Sequence, residues 1–180
     1  MASLVLKMSV SLDGYVAPMD GSTDWSTAGR SADGLSWTLE TVSNASAHLI
    51  GAATYTAWAG YWPGASGPFA KPMNEIPKVV FSDSLTSADW DETTIASGDL
   101  AEAVARLKRE RSGGYLLAQG GTRFARSLVA TGLIDEYRLV VHPVVLGAGE
   151  QIFLAPLTIK PISTTVFTGG AVAHVFTAPG

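Results

Sequence analysis

The sequence predicts an α/β fold, a sandwich on a mostly parallel sheet with an antiparallel hairpin at its C-terminal edge. Three observations carry this reading. Short apolar runs alternate with segments of helical period along the chain. The last two runs, Ile162 to Phe167 and Ala171 to Thr177, are joined by a turn at Gly169-Gly170 rather than by a helix. With 180 residues, 47% hydrophobic and 16% charged, the chain has apolar material for one core, so a single domain over residues 1–180 is expected.

The elements follow in order. Leu4 to Val10 reads as a buried strand ending at the turn dipeptide Asp13-Gly14. A polar, glycine-rich loop from Pro18 to Asp33 carries Asp24-Trp25. Ser36 to Ala47 has helical character, with Leu39, Val42 and Ser46 on one face, and leads into the apolar run His48-Leu49-Ile50, stopped at Gly51. Thr54 to Trp58 opens another helix. Tyr61 to Pro77, with Pro63, Gly64, Gly67, Pro68 and Pro72, reads as an exposed loop. Lys78 to Phe81 is a strand. Asp99 and Glu102 stand at capping-box spacing before the stripe Leu100, Val104, Leu107, and Gly113-Gly114 ends that helix. Tyr115 to Ala118 is a strand, Gln119 to Thr122 a sharp turn, and Phe124, Leu128 and Val129 a second helical stripe, stopped at Gly132. Glu136 to Val141 is the strand before the closing hairpin.

Composition narrows the function. The chain has no cysteine, which excludes a thiol nucleophile, a disulfide framework and a thiolate zinc site. His48, His142 and His174 lack metal-ligand spacing, so no metal is expected. The net charge of -4 argues against a nucleic-acid partner. No stretch approaches a membrane span, and Met1 to Val10, broken by Lys7, reads as a first strand rather than a signal peptide. A cytoplasmic location with no membrane partner is the expectation.

The strongest local signal is Leu116-Leu117-Ala118-Gln119-Gly120-Gly121-Thr122, a buried strand running through two glycines into a helix. Such a turn brings backbone close to a ligand and aims helix N–H groups at an anion, the pyrophosphate of a dinucleotide being the usual occupant. A tight turn that needs glycine only for its backbone conformation reads equally well. Neither G-x-G-x-x-G nor a P-loop is present.

Six blocks in order now give a resemblance over nearly the whole chain. Met8 to Ala17 is similar to an M-S-x-D-G opening. Asp24-Trp25 follows, then Gly51 to Tyr55 against G-R-x-T-Y/W, Val79 to Ser82 against V-V-x-S, Gly120-Gly121, and Leu133 to Glu136 running into His142 to Gly149. Together they resemble the dihydrofolate-reductase-like superfamily, and most nearly the reductase domain of the bifunctional riboflavin-biosynthesis deaminase/reductase. The resemblance implies a three-layer sandwich, NADPH as cofactor, a small heterocyclic substrate of the 5-amino-6-(5-phosphoribosylamino)uracil type and a homodimer. It places Gly51 and Thr54 against the cofactor phosphates and Phe81 and Ser82 beside the adenosine ribose. Gly120, Gly121 and Thr122 would cradle the pyrophosphate and nicotinamide ribose, with Asp13 near the nicotinamide and Trp25 in the substrate pocket. The family's proton donor stands near a helix start, and Asp33 is the nearest match by spacing. A helix cap at Asp33-Gly34, a turn at Asp13-Gly14 and core packing of Trp25 remain alternatives.

The chain also departs from the family. Ala52 and Ala53 stand where an arginine is usual, and Asp83 follows Ser82. A charge-assisted hydrogen bond to phosphate contributes about 1.5–3 kcal/mol, so these positions weaken the case for NADPH and admit NADH. Arg123 and Arg126 are the nearby cations that would compensate, and Arg30 and Lys71 the loop cations for a phosphoribosyl group. The expected function is NAD(P)H-dependent reduction of a small heterocycle. A non-catalytic nucleotide- or ligand-binding member of the fold, or a dihydrofolate reductase, are the alternatives. The zinc-dependent deaminase half is not expected in a chain without cysteine.

Overall fold

The computed structural model describes residues 1–178. Along them run β1 (Ser3–Ser11), α1 (Ala32–Ser43), β2 (Ala45–Gly51), α2 (Ala52–Ala59), α3 (Ala70–Glu75), β3 (Lys78–Phe81), β4 (Thr93–Ala96), α4 (Leu100–Glu110), β5 (Tyr115–Gln119), α5 (Thr122–Thr131), β6 (Glu136–His142), β7 (Lys160–Val166) and β8 (Val172–Thr177). Alternation along β1 sets the layering, because successive side chains of a strand point to opposite faces. Leu4, Leu6 and Met8 join Val104 and Leu107 of α4 and Phe124 and Leu128 of α5 on one face. Val5 joins Val42 of α1, Tyr55 of α2 and Met73 of α3 on the other. Three layers result, with the sheet in the middle, as the sequence leads one to expect.

The sheet runs β4-β3-β2-β5-β1-β6-β8-β7. Strands β4 through β6 are parallel, and β8 and β7 add the antiparallel hairpin at the edge. From neighbouring strands β1 and β5 the chain departs to opposite faces, into α1 and into α5. Such a divergence opens a crevice beyond the carboxyl ends of the strands, where open α/β sheets bind ligands.

Three expectations need correction. The helix expected over Ser36 to Ala47 runs from Ala32 to Ser43, and Ala45 and Ala47 belong to β2. Their pairing with Tyr115 and Leu116 of β5 overrides the helical preference of alanine. The Tyr61 to Pro77 loop contains α3, with Pro72 in its first turn, where a missing N–H costs nothing. Met73 is 2% exposed, so the segment is anchored in the core. Strand β4 has no counterpart in the sequence reading. It is a four-residue edge strand, parallel to β3, with none of its residues buried.

Lys78 explains how so short a helix as α3 is held. Its side chain is fully buried, and Nζ donates to the carbonyls of Met73 (3.2 Å), Asn74 (2.8 Å) and Ile76 (3.0 Å), the otherwise unpaired end of α3. The ammonium also lies 4.5 Å from the centre of the Trp90 ring. Lys78→Met is therefore expected to cost about 3 kcal/mol, because it strands buried carbonyls. Urea unfolding of the variant against the parent chain measures this, and an unchanged midpoint refutes it.

Candidate active site

Four polar side chains form the floor of a cleft at the carboxyl ends of the central strands. Lys7 of β1 stands in register with Gln119 of β5, and Ser9 and His142 project from β1 and β6 on the same face. All four line a cleft of about 790 Å³. One wall is Leu35, Thr38 and Val42 of α1 with Phe167 and Ala171, and the other is Trp58, Tyr61, Trp62, Phe69 and Met73. A smaller cleft of about 340 Å³ shares Lys7, Ser9, Trp58 and Gln119 with it and continues to Trp25, Gly120, Gly121 and Thr122.

The floor is electrostatically unusual. Lys7 has no carboxylate partner among the described residues, and burial pushes its pKa down to about 8. His142 Nδ1 lies 2.8 Å from the carbonyl oxygen of Ala28. A carbonyl only accepts, so Nδ1 carries the proton and Nε2 is left as a bare acceptor. Nε2 is buried and unpartnered. Burial, with Lys7 and Arg30 nearby, holds the imidazole pKa below its ordinary value and keeps the ring neutral. The Trp25 ring meets it edge-on at 5.6 Å.

The glycine turn shapes the smaller cleft. Gly120 and Gly121 have φ of +71° and +72°, a region that favours glycine. A Cβ on Gly121 would lie 2.6 Å from Thr54 Oγ1, so α2 packs directly on the turn. Gly51 and Gly121 are the N-cap residues of α2 and α5, and neither helix receives a side-chain cap. Two sets of helix N–H groups are thereby left for an anion, with Thr54 and Thr122 beside them.

The model of the RibD C-terminal domain family matches residues 2–172. The chain belongs to that family. Among curated relatives, the uncharacterized Bacillus subtilis protein YyaP is 27% identical over 181 residues, covering 96% of this chain and 93% of YyaP. YwjB of the same organism, also uncharacterized, is 31% identical over 151 residues, covering 83% of this chain and 81% of YwjB. A Shewanella sp. PV-4 protein named for riboflavin biosynthesis superposes over 100% of both chains with a TM-score of 0.80 at 20% identity. The Thermotoga maritima diaminohydroxyphosphoribosylaminopyrimidine deaminase/5-amino-6-(5-phosphoribosylamino)uracil reductase superposes with a TM-score of 0.71 at 17% identity, over 99% of this chain and 57% of its own. At these identities the structural likeness speaks for the fold.

Within this RibD C-terminal domain the structure gathers some of the expected residues and separates others. Trp25, Gly120, Gly121 and Thr122 meet in the smaller cleft, with Thr54 against Gly121. Gly51 abuts Phe124, and Phe81 stacks on the same ring at 5.1 Å. The Ser82 hydroxyl accepts the N–H groups of Ser84 and Leu85, and the Asp83 carboxylate accepts that of Gly98. Arg126 is committed to Glu150 (3.4 Å) and the Gln151 carbonyl. Arg30 lines the large cleft, whereas Lys71 lines neither.

The two expected catalytic carboxylates also lie outside both clefts. Asp13 accepts from the Ser11 hydroxyl (2.7 Å) and from the N–H groups of Leu146 (3.1 Å) and Gly147 (2.7 Å), and these bonds hold its pKa down. Asp33 is held well below the carboxylate range by the Ser31 hydroxyl and by the N–H and hydroxyl of Thr168. These hydrogen bonds favour the ionised form of both carboxylates and tie each to a distant loop. Sequence reasoning assigned no site role to Lys7, Ser9, Gln119 or His142, although Gln119 and His142 stand in the blocks it singled out. A lysine amid the apolar residues of β1 was the available signal, since a charge in a central strand needs a reason.

The Lys7 pKa of about 8 lies below the unfolded value of about 10.4. Between those values the unfolded chain binds more protons, so stability rises with pH there, and the charged lysine costs stability at neutral pH. Lys7→Met should therefore unfold at higher urea than the parent at pH 7. It should also lose part of the rise between pH 8 and 10, the rest belonging to Lys78, likewise lowered to about 8. A Lys7→Met chain less stable at pH 7 contradicts this account.

Proposed function

We propose that this chain is an NAD(P)H-dependent reductase of a small heterocyclic substrate, of the riboflavin-biosynthesis type. The observation that carries the reading is the junction of the two clefts at Lys7, with unpaired helix N–H groups at the end of one and a polar floor in the other. The cofactor residues fit a pyrophosphate. Gly51, Gly120 and Gly121 let backbone approach it, and Thr54 and Thr122 supply hydroxyl donors. NAD(P)H supplies the hydride. The chain's part is orientation, exclusion of water and delivery of a proton.

Lys7 is the residue positioned to deliver that proton, since its ammonium reaches both clefts and is acidified by burial. Trp25 and Trp58 flank the place where the two ligands meet. The Ser82 hydroxyl is taken by the N–H groups of Ser84 and Leu85 and its neighbour Asp83 is a carboxylate, so recognition of a 2′-phosphate is weak and NADH is accepted beside NADPH. A homodimer belongs to the same reading. It is supported by β7, an edge strand exposed throughout, with Ile162 at 57% and Val166 at 71% exposure.

Titrating NADPH and NADH separately against the fluorescence of the five tryptophans tests the cofactor. Both are expected to bind, with NADPH favoured by less than about tenfold, the value of one good interaction. Failure of both to bind below about a millimolar, an affinity of only about 4 kcal/mol, overturns the reductase reading. With a turned-over substrate in hand, kcat/KM should fall as pH rises through about 8, where Lys7 loses its proton. Lys7→Met should lower it by roughly 100-fold or more. A flat profile removes Lys7 from the mechanism.

A further inference from the structure

A side chain packed on nearly all sides, yet left with one open hydrogen-bonding atom, points to a ligand, because such an atom normally finds a partner. Gln119 is such a side chain. It ends β5 in register with Lys7 of β1 and is 8% exposed. Both residues belong to the floor that the two clefts share. Among the described residues the Gln119 carboxamide makes one hydrogen bond, from Nε2 to Met73 Sδ at 3.7 Å. A thioether sulfur only accepts, so the amide is turned with Nε2 toward α3 and Oε1 away from it. Oε1 has no partner and is not sealed from solvent, so it opens on the clefts. What this oxygen lacks is an N–H donor. Neither lining holds a carboxylate or a second carboxamide among the described residues, so no other side chain duplicates it.

We propose that Gln119 orients the nicotinamide, its Oε1 accepting an N–H of the cofactor's carboxamide where the two clefts meet. The inference rests on the reductase reading and deepens it by assigning the residue that fixes the reactive end of the cofactor. Three placements favour the cofactor over the substrate as the partner. Gln119 directly precedes Gly120-Gly121, so this acceptor and the turn assigned to the pyrophosphate are consecutive in the chain and cannot shift independently. Trp25 and Trp58 line the smaller cleft beside Gln119 and offer aromatic faces to the ring. The large cleft continues past Gln119 to Leu35, Thr38 and Phe167, which leaves room for a second ring on the far side. A carboxamide held at one edge stops the ring from turning over, so one face of it is presented to the large cleft. Hydride transfer needs that constraint. Replacing the amide NH2 by a methyl group leaves Oε1 without its partner, and the site rejects such an analogue.

Calorimetric titration of the full chain with NADH, with its reduced acetylpyridine analogue and with ADP-ribose tests this without any turnover. The analogue keeps the ring and the carbonyl and carries a methyl group where NADH has its amide NH2. ADP-ribose keeps the pyrophosphate and lacks the nicotinamide. The parent chain should bind NADH at least about tenfold more tightly than the analogue. In Gln119→Met, similar in size and without the acceptor, the two dinucleotides should bind alike, while ADP-ribose binds as it does to the parent. Gln119→Asn, which withdraws the oxygen by one methylene, should do the same. Equal affinities in the parent chain, or a preference that survives in both variants, overturn the role of Gln119 and leave the reductase reading standing. Loss of ADP-ribose binding in both variants makes the role of Gln119 structural and overturns the inference as well. Failure of NADH and ADP-ribose to bind the parent chain overturns the reductase reading itself, and this inference with it.

Discussion

An ammonium without a counter-ion in the middle of the central strand is the constraint around which the molecule is arranged. The chain places two lysines under its helices, Lys78 fully buried and Lys7 half-buried, and treats them oppositely. Lys78 spends its three donors on the carbonyls at the end of α3 and lies over the Trp90 ring. It is closed off and structural. Lys7 receives no comparable partners, and desolvation lowers its pKa without a carboxylate to restore it. A group in that state raises the free energy of the folded chain, and proteins keep such groups where the chemistry uses them. Helices α1, α2 and α3 cover the sheet on either side of Lys7 and leave the strand ends open.

Holding those walls apart falls to the carboxylates. Asp13 ties the end of β1 to Leu146 and Gly147, so the loop after β6 cannot drift from the central strand. Asp33 ties the first turn of α1 to Thr168 in the β7–β8 turn, which places Phe167 against the cleft. Each is an ionised group accepting several short hydrogen bonds, the arrangement that fixes a loop most firmly. Preorganisation of this kind separates a site from a surface depression, since loops that fluctuate could not hold a ring against Lys7 and His142.

The architecture was legible because it rests on local patterns. Apolar runs at strand length and the Asp99 cap before Leu100, Val104 and Leu107 act within a few residues, and the structure keeps them, whereas that helix stops at the extended Arg111, ahead of Gly113-Gly114. What escaped is non-local. Strand β4 exists because β3 offers it an edge, and α3 is anchored by Met73 in the core cluster that holds Val5, Val42 and Tyr55. The site divides in the same way. The turn at Gly120-Gly121 announces itself in sequence, whereas the floor assembles from residues far apart in the chain. Asp13 and Asp33 drew attention as acids, but each also binds a distant loop, at Gly147 and Thr168, and those partners lie more than 130 residues away.

On the proposed reading, anion recognition in this chain rests on backbone rather than on side-chain charge. Ala52 and Ala53 leave the start of α2 without a cation, Asp83 is bonded to Gly98, and Arg126 is bound to Glu150. What remains is the N–H groups of α2 and α5, brought side by side because Gly121 lets α2 approach closely enough for Thr54 to touch the turn. Helix dipoles and fixed N–H groups act at short range, within the first turn of the helix. Such a site distinguishes where a phosphate sits better than how many phosphates a ligand carries. A cofactor's pyrophosphate, held at one fixed point, suits it, and a second phosphate elsewhere on the ligand adds little.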